Sequence, residues 1–256
     1  MRISSLAAAA AVGFTMLLAQ GMGTQAAEVK VMAGAALSGA IGELGPQFER
    51  ATGHKIVIEY GLTGTFKRRI EGGEAFDLVI ITPAALDDLI KQGKVAADTR
   101  GNIARVGMGV AVRAGTPKPD ISTVDAFKSA LLNAKSVTYA PEGATGIHLA
   151  KVMEQLGITE QMKAKTKPQT VPVNIAKAVA AGEAELGLAV VNILQSVKGV
   201  ELVGLFPTEL QNYVVLTAGV GSSAKEPEAA KALIKHLTTP AAAVVIKAEG
   251  MEPLGK

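Results

Sequence analysis

The stretch VKVMAGAALSGAIGELGPQF, residues 29–48, decides the fold class, because its hydrophobic period changes along its length. The residues Val29–Met32 are typical of a short strand. Apolar residues from Leu37 to Phe48 then recur at the i, i+4, i+7 and i+11 spacing of one helix face. Pro46 predicts a kink in this helix. A strand that leads through small residues into a helix is the opening unit of a βα fold.

The same alternation continues along the chain. Further strands are predicted at 55–60, 76–81, 106–112, 137–139, 185–191 and 201–203. Further helices are predicted at 65–71, 86–92, 124–132, 147–156, 175–181, 228–236 and 241–248. Alternating strands and helices predict an α/β fold with parallel sheets covered on both faces. In such folds ligands bind at the carboxyl ends of the strands.

The composition is that of a globular protein and excludes several functions. Of the 256 residues, 48% are hydrophobic and 19% are charged, and none is Cys. The missing Cys excludes disulfides, thiolate metal ligands and a Cys nucleophile. The net charge of +3 is not gathered into a basic block with aromatic residues, so we expect no nucleic-acid partner. Motifs of hydrolases, zincins, nucleotide hydrolases and calcium loops are missing from the sequence, and we expect neither a cofactor nor a metal.

The segment 1–26 has the pattern of a secretory signal peptide. Arg2 gives a positive start, an apolar stretch runs from Leu6 to Leu18, and residues 24–27 supply the small side chains of a cleavage site. The apolar stretch is shorter than the roughly 20 residues that span a bilayer. We therefore expect a periplasmic protein, secreted through a cleaved signal peptide and acting as a monomer.

Three loops of small residues follow predicted strands and precede predicted helices, at 33–36, 61–65 and 141–146. Glycine lets the backbone approach a ligand, and the N–H groups that open a helix favour negative charge. The hydroxyls of Thr63, Thr65 and Thr145 would add neutral donors. Alternatively, these loops only turn the chain and cap helices. Three such loops at one sheet edge favour a site for a small anion.

The order of these motifs resembles the periplasmic molybdate-binding proteins of ABC importers, a family that also includes aconitate isomerases. The likeness is carried by VMAGAAL (31–37), FERATG (48–53), YGLTGT (60–65), IEGG (70–73), FDLVII (76–81), PEGATGI (141–147) and GEAELG (182–187). The resemblance implies a type II periplasmic binding protein, with two doubly wound lobes and a ligand cleft between them. By that likeness one lobe comprises 28–105 plus 214–256 and the other 106–213. It also implies a small anionic ligand and, as partners, the membrane subunits of an ABC importer.

The resemblance marks the ligand contacts as well. Members that bind molybdate use a Ser before the Leu of the first loop, a Ser in the second loop and a Tyr after the late buried strand. At these positions this sequence has Ala36, Thr63 and Val190. Thr145 also falls at a family contact position, and Ser38 is a candidate substitute for a lost hydroxyl. Each donor that is not replaced weakens oxyanion binding by roughly 1–3 kcal/mol, so we expect a carboxylate ligand rather than molybdate or tungstate.

Positive charge is a candidate replacement for the lost hydroxyls. Lys67 and Arg68 follow the Thr63 loop, together with Arg69, and Arg105 lies near the predicted passage between the lobes. Guanidinium groups suit carboxylates. Adjacent helix positions point about 100° apart, so at most two of residues 67–69 can face a cleft. Alternatively, these side chains only cover a solvated helix face.

Three functions stay open on the sequence. The first is a solute-binding protein that closes on a small anion and delivers it to an importer. The second is an aconitate isomerase on the same scaffold, which needs a base to move an allylic proton. His148 is the candidate base because its ordinary pKa suits proton transfer near neutrality, with Glu142 and Tyr60 as reserves. The third is an exported adhesin or scavenger without a transporter.

Overall fold

The computed structural model describes residues 26–255. The predicted signal peptide, apart from Ala26, lies outside the described residues. The strands are β1 (Glu28–Gly34), β2 (Lys55–Gly61), β3 (Leu78–Ile81), β4 (Gly101–Val106), β5 (Met108–Arg113), β6 (Val137–Tyr139), β7 (Thr166–Pro168), β8 (Leu186–Val190), β9 (Val200–Leu205), β10 (Val214–Val220) and β11 (Glu252–Pro253). The α-helices are α1 (Ser38–Thr52), α2 (Thr63–Glu71), α3 (Pro83–Lys91), α4 (Val124–Asn133), α5 (Ala144–Gln155), α6 (Thr159–Lys163), α7 (Val173–Ala180), α8 (Val191–Gln195), α9 (Pro227–Leu237) and α10 (Pro240–Ala248). Short 3-10 turns lie at Ala35–Leu37 and Ala97–Thr99.

The strands form two mixed sheets. The six-stranded sheet has the order β11-β4-β10-β3-β1-β2, and the five-stranded sheet has the order β7-β6-β8-β5-β9. β1 runs parallel to β2 and β3, and β6 runs parallel to β7 and β8. However, β10 is antiparallel to β3 and β4, and β5 is antiparallel to β8 and β9. The prediction of wholly parallel sheets is therefore wrong. β5 and β10 are the strands that follow a passage of the chain between sheets, so no βα crossover fixes their direction.

The chain passes between the two sheets twice. The strand predicted at 106–112 corresponds to β5, which begins at Met108 in the second sheet. The preceding strand β4, which ends at Val106 in the first sheet, was not predicted. Gly107 lies between them, and a Cβ there would lie 2.8 Å from the side chain of Leu205. The return passage lies between the end of β9 and the start of β10. The Gln211 side chain fastens this second passage to the first, because it accepts from the Met108 N–H at 3.1 Å and donates to the Met108 carbonyl at 3.0 Å.

Helix α1 forms as the spacing predicts and buries Ile41, Leu44 and Phe48 in the core. It continues through Pro46 to Thr52. The helix ends at Gly53, whose φ of 75° is left-handed and whose N–H bonds the Glu49 carbonyl. Glycine adopts this conformation without the strain that a Cβ would cause.

A buried carboxylate fixes the first sheet to the C-terminal helices. Asp77, which precedes β3, is only 3% exposed. One carboxylate oxygen accepts the Lys30 N–H at 2.8 Å, and the other accepts the N–H groups of Lys225 at 2.7 Å and Glu226 at 3.0 Å. Its charge is thus satisfied by backbone donors, as burial requires.

Within residues 26–255 no single helix is long and apolar enough to cross a membrane. Helices α9 and α10 reach the required length and apolar composition only when taken together, and the two helices are bent by 66° relative to each other.

Candidate anion-binding cleft

A cleft with a cavity volume of about 70 Å³ opens between the two sheets at the carboxyl ends of several strands. This volume is smaller than the roughly 300–1,000 Å³ of sites for drug-sized molecules, so the cleft suits a small ligand. β1 and β2 end side by side there, with Gly34 opposite Gly61 in the parallel register. The lining comprises Gly34, Ala35, Ala36, Gly61, Leu62, Thr63, Ala140, Gly143, Ala144, Thr145, Pro172, Ile175, Leu188, Ala189, Val190, Ile193, Val214 and Leu216. Residues of all three predicted loops therefore line this cleft.

Two helices begin at the cleft with their N–H groups uncapped by side chains. Thr63 is the first residue of α2, and Ala144 is the first residue of α5. The first N–H groups bonded within these helices are those of Phe66 and Ile147, so the helices do not use the preceding donors. Among these preceding donors, the Gly64 N–H already bonds the Glu142 carbonyl at 3.2 Å. The remaining N–H groups and the helix dipole make each such end favourable for negative charge.

Two hydroxyl groups supplement these backbone donors. Thr63 is 7% exposed and Thr145 is 8% exposed, and both line the cleft. No charged side chain belongs to the lining formed by the described residues. The cleft therefore offers neutral donors at two helix ends, surrounded by apolar walls.

Four of the predicted contacts meet at the cleft: Ala36, Thr63, Thr145 and Val190 all line it. Ala36 and Val190 present apolar surface where the resemblance implies hydroxyls. Ser38, the first residue of α1, is exposed and lies outside the lining, so the structure does not bring its hydroxyl to the cleft.

Thr65 and Arg68 lie at the edge of the cleft and contact a carboxylate there. The Thr65 hydroxyl and the Arg68 guanidinium each donate to Oε2 of Glu142 at 2.8 Å. The hydrogen bond from Arg68, followed by that from Thr65, lowers the pKa of the Glu142 carboxyl below its ordinary value. Glu142 is therefore ionised near neutral pH.

Lys67 is held away from the cleft on the outer side of α2. Its ammonium pairs with Glu71 at 2.9 Å and with Asp88 at 3.5 Å. These partners raise the pKa of Lys67, the Glu71 hydrogen bond most strongly. The structure does not bring Lys67 to the lining.

The other candidate cations are also paired outside the cleft. Arg69 contacts Glu59 and Glu74, each at 2.6 Å, and these hydrogen bonds raise its pKa further. Arg105 contacts Glu252 at 2.6 Å. The geometry therefore gives no support for positive charge as the replacement for the missing hydroxyls.

The candidate bases also lie outside the lining. His148, on α5, is half-buried, and its Nε2 lies 2.8 Å from the Leu210 carbonyl oxygen. A carbonyl only accepts, so Nε2 carries a proton and donates it to this bond. Burial raises the pKa of the Tyr60 hydroxyl, so less of Tyr60 is present at neutral pH as the phenolate, the form that accepts a proton. Within residues 26–255 no three His, Asp or Glu side chains are grouped as metal ligands would be.

Sequence reasoning missed the apolar walls and one polar side chain that touches the site. The walls come largely from Leu188, Ile193 and Leu216, which look in the sequence like ordinary core residues. Asn192 lies on α8, and its Nδ2 donates to the Ala36 carbonyl at 2.7 Å. The one sequence feature that could have indicated Asn192 is that it is a polar residue within the apolar run 186–194.

Comparison with protein families and curated proteins gives consistent matches. The family model described as bacterial extracellular solute-binding protein matches residues 29–252. An aconitate isomerase from Pseudomonas sp is 34% identical over 231 residues, which is 88% of this chain and 87% of the relative. The molybdate-binding protein ModA of Azotobacter vinelandii is 33% identical over 244 residues, which is 88% of this chain and 90% of the relative.

Solved structures share the fold. The periplasmic molybdate-binding protein of Azotobacter vinelandii aligns with a TM-score of 0.72 at 21% identity, covering 87% of this chain and 98% of its own. The sulfate-binding protein SubI from Mycobacterium tuberculosis H37Rv aligns with a TM-score of 0.74 at 18% identity, covering 89% of this chain and 87% of its own. These likenesses confirm the predicted α/β fold of the two-lobed periplasmic type.

Proposed function

Because the chain belongs to the bacterial extracellular solute-binding protein family, we propose that it is the periplasmic binding component of an ABC importer and that its cleft binds a small carboxylate. Secretion through residues 1–26 would deliver it to the periplasm. The lobes of this proposal comprise 28–105 plus 214–256 and 106–213. Strand membership supports that division, since the first sheet draws on 28–106 and 214–253 and the second on 108–205.

The observation that carries the carboxylate proposal is the uneven distribution of donors in the cleft. A tetrahedral oxyanion presents acceptors in every direction, and each buried acceptor without a donor costs about 1–3 kcal/mol. Here the donors lie at the starts of α2 and α5, while Ala36, Leu188 and Val190 contribute apolar side chains to the lining. A di- or tricarboxylate gathers its acceptors in carboxylate groups that are separated by C–H surface, so it would direct carboxylates to the two helix starts and C–H surface to the apolar walls.

Neutral donors would stabilise the charge of such a ligand. A helix N-terminus stabilises a nearby anion by roughly 0.3–1 kcal/mol, and by up to about 2 kcal/mol where it is partly buried. Two helices contribute here, and the Thr63 and Thr145 hydroxyls lie in their first turns. We assign these first turns as the direct ligand contacts, with Ala36 and Val190 as walls.

A thermal-shift screen of the mature protein tests the proposal. The panel comprises citrate, cis-aconitate, trans-aconitate, molybdate, tungstate, sulfate and phosphate. A ligand present at a hundredfold excess over its Kd stabilises the native state by about 2.7 kcal/mol. We expect a carboxylate to give this shift and Thr63→Val to reduce it, while the exposed control Ser129→Ala leaves it unchanged. Stabilisation by molybdate or tungstate alone would contradict a carboxylate ligand.

The second candidate is an aconitate isomerase, favoured by the relative that is 34% identical over 88% of this chain. This activity needs a base within reach of the substrate. His148 would have to release the Leu210 carbonyl or act through Nδ1, and Glu142 would have to leave Arg68. Proton NMR of cis-aconitate over time separates the candidates. Appearance of the trans isomer, lost in His148→Ala or Glu142→Gln, supports the isomerase, whereas binding with an unchanged spectrum supports transport.

A further inference from the structure

Glu142 joins the two halves of the molecule beside the cleft. It lies in the turn between β6 and α5, on the side of the second sheet, whereas its partners lie on α2, on the side of the first sheet. Its carbonyl accepts the Gly64 N–H at 3.2 Å. Its carboxylate accepts the Thr65 hydroxyl and the Arg68 guanidinium, each at 2.8 Å. One residue thus makes three hydrogen bonds across the gap between the sheets.

The local sequence fits a close approach at this point. A Cβ at Gly64 would lie 3.1 Å from the Glu142 carbonyl oxygen, so a larger residue would push α2 away from the turn. Leu62 and Gly143, which flank this contact, both line the cleft. The contact is therefore continuous with the rim of the ligand site.

The exposure of the Arg68–Glu142 ion pair argues against a large contribution to the stability of the fold. The Arg68 side chain is 59% exposed and the Glu142 side chain is 47% exposed. Exposed ion pairs contribute little to the stability of a fold. An interaction that exists only when two lobes are closed nevertheless shifts the balance between open and closed forms by its whole free energy.

We propose that Glu142 is a closing residue, a positioning group whose bonds to Gly64, Thr65 and Arg68 hold the lobes together over the ligand and slow its release. This proposal rests on the proposed function, because release is meaningful only for a protein that binds in the cleft. The fraction of closed molecules scales the apparent affinity. Loss of an exposed, charge-assisted contact of this kind should increase the dissociation rate constant of the ligand about three- to fivefold.

A distance measurement tests closing without any ligand. The chain has no Cys, so spin labels can be attached specifically at Ala75→Cys and Ala150→Cys, two exposed positions on opposite sides of the cleft. We expect Glu142→Ala to shift the distance distribution to longer values and Arg68→Ala to shift it less, because the Thr65 bond to Glu142 remains. The double variant should shift the distribution no further than Glu142→Ala. Glu154→Ala, an exposed glutamate on the same helix, is the matched control and should leave the distribution unchanged.

Stopped-flow release of the carboxylate found in the thermal-shift screen is the second measurement. We expect Glu142→Ala and Arg68→Ala each to accelerate release by about three- to fivefold without additivity, and circular dichroism to show an unchanged fold. Distances that stay as in the wild-type protein, or rate effects that add in the double variant, would overturn the closing role. If no ligand binds, the proposed function fails, while the distance measurement still decides whether Glu142 closes the lobes.

Discussion

Gly146 is the position at which a single methyl group should most directly disturb the proposed site. It lies in the first turn of α5, where a Cβ would lie 2.7 Å from the Cα of Pro141 and still closer to the carbonyl oxygen of Ala140. Both neighbours are backbone, so no side chain can rotate to make room. An ordinary contact needs at least 3.4 Å, and the first turn of α5 in Gly146→Ala must therefore move by about 0.7 Å or more.

The expected effect follows from this displacement. Forced overpacking lowers the free energy of unfolding by about 1–3 kcal/mol. The higher helix propensity of Ala offsets at most about 1 kcal/mol of this loss. The displaced turn carries Ala144 and Thr145, so the donors lose their alignment with the ligand. A loss of 1.4 kcal/mol is a tenfold weaker affinity, and we expect a loss of about this size or larger.

Gly42→Ala is the matched control for this change. Gly42 is also helical, but a Cβ there would meet nothing within 4 Å. The control should raise the free energy of unfolding by about 0.5–1 kcal/mol and leave ligand affinity unchanged. Urea unfolding and isothermal titration calorimetry measure the two quantities. If Gly146→Ala unfolds and binds as the wild-type protein does, the first turn of α5 is not the ligand site.

Three further predictions follow from single contacts. Asp77→Asn should lower the free energy of unfolding by about 2–4 kcal/mol, because an amide cannot accept all three backbone N–H groups. Urea unfolding measures this change, and unchanged stability would contradict the role assigned to the carboxylate. Lys67→Gln should leave ligand affinity within twofold in calorimetry, since Lys67 lies outside the lining, and a tenfold loss would place it in the site. The bonds of Glu142 lower its pKa in the closed form, so its closing contribution should be complete above the ordinary glutamate pKa of about 4.3 and lost as pH falls through the lowered value. Ligand release should therefore be constant from pH 8 to 6 and faster in acid. Because a carboxylate ligand also takes up protons in acid, the acceleration should be smaller in Glu142→Gln than in the wild-type protein.

The parts of the fold that local periodicity determines were predictable. β1 and α1 were recognised from a change of hydrophobic period, and the loops at Thr63 and Thr145 from small residues after strands. β10 was missed because its partners β3 and β4 lie far away in sequence, and nothing near it specifies an antiparallel addition. β4 was missed, and the strand predicted at 106–112 begins two residues before β5, because the apolar pattern does not reveal that Gly107 separates two sheets.

The site was predictable only where its residues belong to those loops. The apolar walls, such as Leu188 and Leu216, have the same sequence signal as the core, since burial and contact with a ligand select the same side chains. The role of Arg68 depends on Glu142, which is 74 positions away and is brought near by tertiary structure alone. A sequence shows that a positively charged side chain is present, but the fold decides which carboxylate that side chain contacts.

The most direct test of the carboxylate cleft is a pair of calorimetric titrations of the mature protein, one with cis-aconitate and one with molybdate. We predict saturable heat at one ligand per chain for the carboxylate, at least tenfold weaker in Thr63→Val/Thr145→Val, and no binding heat for molybdate. Binding of molybdate at one per chain with no heat from the carboxylate would contradict the account.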